Sequence, residues 1–404
     1  MYRSSSTSSL DSTTSTSSNA CSSSSSNDVI ASHPSSRKTS PIHSLPFELI
    51  HYILDLTLPP HPSHHLNRTN ALLKYAFTSR LFLLPSQSLL NASIKLSTSS
   101  AANRWLSSKR PSTTSSRHWI THALSMSGIV AGHGISANTA RKCLLKAEQV
   151  STVELYDFKS LPVKALQGPS LSNLHTLYLS TSFVPLQRRT TATQTEPLSL
   201  PFRSTLKTLT LSGTPSIPSQ LLLALLQCPN LTSLTLSLVP SSPCYLNLIE
   251  ALPFALRNGL KELALHHRPD AWFLQEAFGS KSTLLEEGPW SSPKSNLTHL
   301  TLHPKVPLDT LLERLSHNGH TNLQHLDLTI SYNVLEINSI LREHFLAGGA
   351  GTFHRMEKLV LRGTHKGEWN RFTKEDGKWL TEERHDDRWF EVEWIPIRRN
   401  SACT

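Results

Sequence analysis

The sequence has no paired cysteines, no extended apolar runs, and few acidic residues over a long central stretch. Its 404 residues include five cysteines, Cys21, Cys143, Cys228, Cys244 and Cys403, an odd number without any CxxC pair. That argues against a disulfide framework or a thiolate zinc site and fits a reducing compartment. The longest apolar runs, such as Leu221 to Leu226, fall far short of the roughly 18 residues a membrane span requires. The N-terminus has no apolar core of a secretory signal, so a cytoplasmic or nuclear protein is expected. Also lacking are a GxSxG elbow, an HExxH pair and any recognisable nucleophile constellation. Neither catalysis nor a cofactor or metal is therefore expected. Hydrophobic residues make up 38% and charged residues 17%, against about 45–50% and about a quarter in an average globular chain. Ser, Thr, Pro and His fill the difference, and part of the chain is expected to stay unfolded.

The net charge of +10 is unevenly spread. No Asp or Glu occurs between Asp55 and Glu148, whereas Arg68, Lys74, Arg80, Lys95, Arg104, Lys109, Arg110, Arg117, Arg141, Lys142 and Lys146 lie inside that span. Such a surface attracts an acidic partner and speeds the encounter at low salt. Nucleic acid is a weaker reading, because no nucleic-acid motif or aromatic-plus-basic cluster accompanies the charge.

Composition divides the chain. Of the first 40 residues, 23 are Ser or Thr, and such a segment buries too little surface to offset its ordering entropy. Residues 1–40 are expected to be a disordered tail. Order begins at Ser44-Leu45-Pro46-Phe47-Glu48-Leu49-Ile50-His51-Tyr52-Ile53-Leu54. Pro46 suits a first helical position, Glu48 sits where the helix dipole favours a carboxylate, and Pro59-Pro60 forbids continuation. Leu49, Ile50, Ile53 and Leu54 give one wide apolar face, and Ala71, Leu72, Tyr75 and Ala76 with Phe82 suggest a second helix.

The run Leu45-Pro46-x-Glu48-Leu49-Ile50-x-x-Ile53-Leu54, with Tyr75-Ala76-Phe77-Thr78-Ser79-Arg80-Leu81-Phe82 and the Leu-rich stretch to Leu96, resembles an F-box over about 50 residues, 41–96. Two features depart from the family pattern. Phe77 replaces a smaller aliphatic residue, and His61 to Asn70 is longer than the usual inter-helix turn. The resemblance implies a three-helix module that docks onto the acidic Skp-family adaptor of an SCF (Skp, cullin, F-box) ubiquitin ligase. Leu45, Pro46, Leu49, Ile50, Ile53, Leu54, Phe77 and Phe82 would make that contact.

From Val150 onward a pattern L-x-x-L-x-L recurs, beginning at Val150, Leu174, Leu206, Leu231, Leu260, Leu297, Leu323 and Met356 at a mean spacing close to 29 residues. Periods of this length and pattern mark leucine-rich repeats. Each unit supplies one strand with inward leucines and one apolar helical stripe, and neither buries its face without a neighbour. Thr121-x-x-Leu124-x-Met126, followed by a helix over Ala137 to Ala147, reads as a degenerate leading copy. None of the eight copies carries the Asn or Cys of the short consensus, so an irregular curvature is expected. The fold class expected is α+β: a small helical F-box-like module followed by an irregular α/β leucine-rich-repeat solenoid. Its segments are 1–40 tail, 41–96 helical module, 97–149 basic connector with the degenerate leading repeat, 150–364 repeats and 365–404 a Trp-rich cap bearing Trp369, Trp379, Trp389 and Trp394.

Strand alternation places the residues between the leucines on the concave side. The first half of that face is hydroxylic, with Tyr156 and Tyr178; the second carries His266, His299, His303, His325, Asp327, Lys358 and Arg362. These residues are the candidate target-binding set for an acidic or phosphorylated protein; the plainer alternative is that they are solvated strand residues. Taken together, the resemblances imply a fungal-type substrate receptor of an SCF ligase, with a non-catalytic leucine-rich-repeat scaffold as the second reading. Gly128-Ile-Val-Ala-Gly132-His-Gly134 has the order GxxxGxG, not a dinucleotide or P-loop fingerprint, and is expected to be a turn. The histidines His61, His64 and His65 lack the convergent ligand set of a zinc site.

Overall fold

The computed structural model describes residues 45–58, 65–108, 121–130, 132–147, 149–184, 198–213, 215–238, 247–248, 251–252, 255–256, 258–266, 296–303, 308–317, 322–330, 353, 355–363 and 391–396. The expected tail 1–40 and the four tryptophans of the terminal segment, apart from Trp394 in a strand, lie outside them or outside their described side chains. The chain divides into two units, residues 1–46 and 47–404. Of the first unit only Leu45 and Pro46 are described.

The second unit opens with three helices, α1 (Phe47–Thr57), α2 (His65–Thr78) and α3 (Arg80–Ala92). Sequence spacing suggested a second helix containing both Tyr75 and Phe82. The chain instead breaks at Ser79, which caps α3 by accepting from the Leu81 N–H. Tyr75 and Phe82 then meet across the break, with ring centroids 6.3 Å apart. Helix α3 passes directly into β1 (Ser93–Leu96) and packs on it. After α4 (Ser99–Ser107) come β2 (Ala123–Ser127), α5 (Ala137–Lys146), β3 (Thr152–Tyr156), β4 (Leu161–Pro162), β5 (Thr176–Ser180), β6 (Phe183–Val184), β7 (Thr208–Gly213) and α6 (Ser219–Leu226). They are followed by β8 (Ser233–Leu238), β9 (Glu262–Leu265), β10 (His299–Leu302), α7 (Leu308–His317), β11 (His325–Ile330), β12 (Lys358–Gly363) and β13 (Glu391–Pro396).

This architecture corrects the expected fold class. The chain does not form an α+β irregular leucine-rich-repeat solenoid; the described residues build an open α/β fold on one all-parallel sheet of eleven strands with helices packed on it. The strand order is β1-β2-β3-β5-β7-β8-β9-β10-β11-β12-β13, with β4 and β6 pairing separately. The degenerate leading copy at Thr121 to Met126 supplies β2, and the sheet starts one strand earlier still, with β1 in the segment read as helical module.

The absent Asn consensus led to the expectation of irregularity, but the backbone supplies the regular ladder by itself. The His122 carbonyl accepts from Ser151 and Thr152, Ser151 from His175 and Thr176, and His175 from Lys207 and Thr208. The same two-donor step continues through Lys207, Thr232, Lys261, Thr298 and Gln324 to Glu357 and Lys358. Each strand is thereby fixed at its start against the next, and one row of leucines faces leucine from β5 to β12. Leu209 pairs with Leu234, Leu234 with Leu263, Leu263 with Leu300, Leu300 with Leu326 and Leu326 with Leu359.

The core follows from that register. Strand leucines such as Leu177, Leu209, Leu234, Leu300 and Leu326 are buried together with Ala140, Cys143 and Leu144 of α5, Leu221, Leu222, Leu225 and Leu226 of α6, and Leu311, Leu312 and Leu315 of α7. Each fully buried leucine contributes about 1.5–3 kcal/mol. The opposite face of every described strand from β2 to β11 stays partly or fully accessible.

Two local features secure the α4–α5 region. Lys146 Nζ donates to the carbonyls of Trp105, Leu106 and Ser108 at 2.6, 2.8 and 2.9 Å and lies 5.3 Å from the Trp105 ring centroid. It satisfies the last carbonyls of α4, which have no partner inside the helix. Lys146→Met is expected to lower stability by about 1–3 kcal/mol, in line with hydrogen bonds from a charged donor to half-buried and exposed carbonyls, as read from urea denaturation. The GxxxGxG segment is a tight turn, as expected. Val130 and His133 exchange backbone hydrogen bonds of 2.7 and 3.0 Å, and a Cβ on Gly128 would lie 2.5 Å from the Asp157 carbonyl oxygen.

Cys143 and Cys228 are buried free thiols, and burial pushes both up to about 11. The thiolate is the reactive form, so iodoacetamide at pH 8 is expected to spare both in the folded chain and to label both in denaturant, as mass spectrometry would read.

Candidate protein-binding surfaces

Helix α1 carries apolar residues on two faces, and packing uses only one. Ile50 and Leu54 are each 3% exposed and, with Leu58, anchor the helix inside the module. Their assignment to the adaptor contact is corrected: side chains committed to the module's own core present nothing to a partner. Leu49, Tyr52, Ile53 and Leu56 lie at i, i+3, i+4 and i+7, and all four are exposed, Leu56 at 66%. That spacing lines one side of a helix. A helix that is apolar on its solvent side as well as its core side has surface to cover.

Helices α2 and α3 expose apolar residues as well. Phe77 near the end of α2 is 86% exposed, and Leu73 one turn before it is exposed too, as are Leu83 and Leu84 on α3. Phe82 is half-buried against Tyr75. Leu45 is half-buried and Pro46 exposed. Sequence reasoning missed Tyr52 and Leu56, although the 49/52/53/56 spacing signals them. Lumping adjacent residues into one wide face concealed that the helix has two. The module is tied together by the packing of α1 and α2 on α3 and by the ion pair from Arg68 of α2 to Asp55 of α1.

The second surface is the accessible face of the sheet. Tyr156, Tyr178, His266, His299, His303, His325, Asp327, Lys358 and Arg362 all stand on it, exposed or half-buried. Val360, read from alternation as another accessible position, is buried.

Strand register arranges these residues in rows. Glu262, His299, His325 and Lys358 follow one another across β9 to β12. The His299 and His325 rings stack with centroids 5.2 Å apart, and the His299 Nδ1 lies 2.9 Å from the Thr298 hydroxyl. His266 and His303 meet edge to face at 5.8 Å. Arg362 does not stand alone: its guanidinium donates to both Asp327 carboxylate oxygens at 2.6–3.1 Å, a fork geometry that fixes both side chains.

No protein-family model matches the chain, and no curated protein matches its sequence. The surfaces therefore rest on their own geometry. Among the described residues no helix is long and apolar enough to cross a membrane, and no group of three or more His, Cys, Asp or Glu is placed to hold a metal ion.

Proposed function

We propose that this chain is a substrate-recognition subunit of an SCF-type E3 ubiquitin ligase, working in the cytosol or nucleus. Helices α1–α3 hold the Skp-family adaptor, through which the cullin is reached, and the accessible face of the parallel sheet holds the target protein. The observation that carries this reading is the uncovered apolar stripe Leu49, Tyr52, Ile53 and Leu56 of α1, in a module that also exposes Phe77. A stripe of that size on a short helix is a docking surface, since solvent exposure of four large apolar side chains is costly without a partner. The excess of Arg and Lys between residues 55 and 148 suits an acidic adaptor and would steer its approach. The direct passage from α3 into β1 adds a mechanical reason. A receptor must hold its target at a set distance from the ligase, and a helix that runs straight into the sheet leaves no linker between the two surfaces.

The target face has a chemical bias. Its β9–β12 end presents His266, His299, His303, His325 and Lys358, groups that donate hydrogen bonds to carboxylate or phosphate. Replacing His299, His303, His325, Lys358 and Arg362 together by alanine is expected to remove at least nine-tenths of target capture by the immobilised full chain. Unchanged capture would transfer the target site elsewhere. Co-purification tests the ligase assignment itself. The Skp-family adaptor and a cullin should accompany the tagged chain, and their absence would leave an interaction scaffold with no ligase link.

A further inference from the structure

The accessible face also contains a cluster that has no part in anion binding. At its β3–β5 end, Glu154 lies in register beside Tyr178. The Tyr156 and Tyr178 rings have centroids 4.8 Å apart and planes inclined by 37°, and the Tyr156 hydroxyl donates to Glu154 Oε2 at 3.2 Å. We propose that Tyr156, Tyr178 and Glu154 form a receptor for a lysine or arginine side chain of the target protein. The inference rests on the reading of this face as the target-binding surface and gives that target a chemical class.

Three observations carry it. First, Glu154 makes no ion pair among the described residues. Its register neighbours are Ser125 and Tyr178, and the nearest cation on its row, Lys95, stands two strands away, roughly 9–10 Å at the spacing of a sheet. In a chain of net charge +10, a carboxylate held among hydroxyl groups and away from cations is a vacant counter-charge. Second, the tyrosines bring two π faces to the same spot, and a cation above such a face is attracted by the ring quadrupole. Burial, and then the adjacent Glu154, push the Tyr156 hydroxyl far above its usual ionisation range, so the ring stays neutral and its hydroxyl remains a donor that orients the carboxylate. Third, the surroundings are polar without charge: Thr152, Thr176, Ser180 and Thr210 flank the cluster on the same face. Among the described residues of β2, β3, β5 and β7 on this face, none but Glu154 carries a charge.

The two ends of the face thus differ in sign. From β5 to β10 the sheet advances four strands, about 19 Å at the usual strand spacing. A target would bind in one orientation, with its cationic side chain over β3–β5 and its acidic group over β10–β12.

Fluorescence anisotropy on the full chain at low salt tests this with two labelled peptides, one Gly-Ser peptide carrying three arginines and one carrying three glutamates. The arginine peptide should bind, and Glu154→Gln and Tyr178→Leu should each weaken it about tenfold. Tyr178→Phe, which keeps the ring, should leave it within about twofold. Gln at 154 retains an oxygen to accept from Tyr156, so the fold is preserved, and circular dichroism of each variant checks this. The glutamate peptide should be indifferent to these changes and lose affinity with Lys358→Ala. Binding of the glutamate peptide alone, or arginine binding untouched by Glu154→Gln, overturns the cation receptor while the target face stands. Failure of both peptides overturns the target face as well.

Discussion

Leu49→Asp combined with Ile53→Asp is expected to abolish capture of the Skp-family adaptor while the chain remains folded. Both side chains lie on the solvent side of α1, so neither contributes to the module's own core. Exposed substitutions of this kind usually change stability by within about 0.5 kcal/mol, with a further helix-propensity cost of a few tenths for each Asp. At an interface the same changes act differently. Each removes about 1.5–3 kcal/mol of apolar burial, and each places a carboxylate against a partner that is itself acidic. The sum corresponds to at least a hundredfold loss of affinity. Ile50→Ala is the control from the other side of the helix. It should cost about 2–5 kcal/mol of stability, as for a buried aliphatic truncated to Ala. Urea denaturation and adaptor pull-down performed on both variants separate folding from docking. If the double Asp variant still captures the adaptor, α1 is not its docking site and the ligase assignment falls.

Leu234→Ala and Thr235→Ala sit one residue apart on β8, yet should differ by severalfold in cost. Leu234 is fully buried and lies in register between Leu209 and Leu263. Removing its side chain opens a cavity in the centre of a continuous leucine row, with an expected loss of about 2–5 kcal/mol. Thr235 points to the accessible face between Thr210 and Ala264, and its replacement should shift stability by no more than about 0.5 kcal/mol. Urea midpoints measure both. Equal costs would mean that the sheet is buried on both faces, and the accessible face could then bind no target.

Much of this was legible in the sequence. The six-residue pattern that begins at Val150, Leu174 and Leu206 located strands β3, β5 and β7, and its alternation assigned Tyr156 and Tyr178 to the accessible side, because a strand turns successive side chains to opposite faces. The same rule missed Val360, whose burial is decided by neighbouring strands and not by its own parity. It located β2 as the degenerate leading copy but missed β1, since Ser93-Ile-Lys-Leu96 is too short to show a period against the Leu-rich helix that runs into it. The expected irregularity failed for a physical reason. A missing Asn side chain was taken as a missing ladder, but the carbonyls of His122, Ser151 and His175 each take two backbone donors, and backbone groups leave no mark in the sequence.

Helix α1 shows the same division. Its length and its capping prolines were readable from residues 46 to 60, and so was its apolar character. Which apolar residues faced inward was not, because Leu49 and Ile50, like Ile53 and Leu54, are adjacent and equally greasy. The amino-acid order determined where helices and strands form and which strand positions alternate, through local spacing alone. Only tertiary packing decided that Ile50 and Leu54 would be consumed by the core while Leu49 and Ile53 stayed outside, and that Tyr178 of the neighbouring strand would come to lie beside Glu154 and Tyr156. Both outcomes depend on which element lies next to which, and that is set by burial summed over the whole chain.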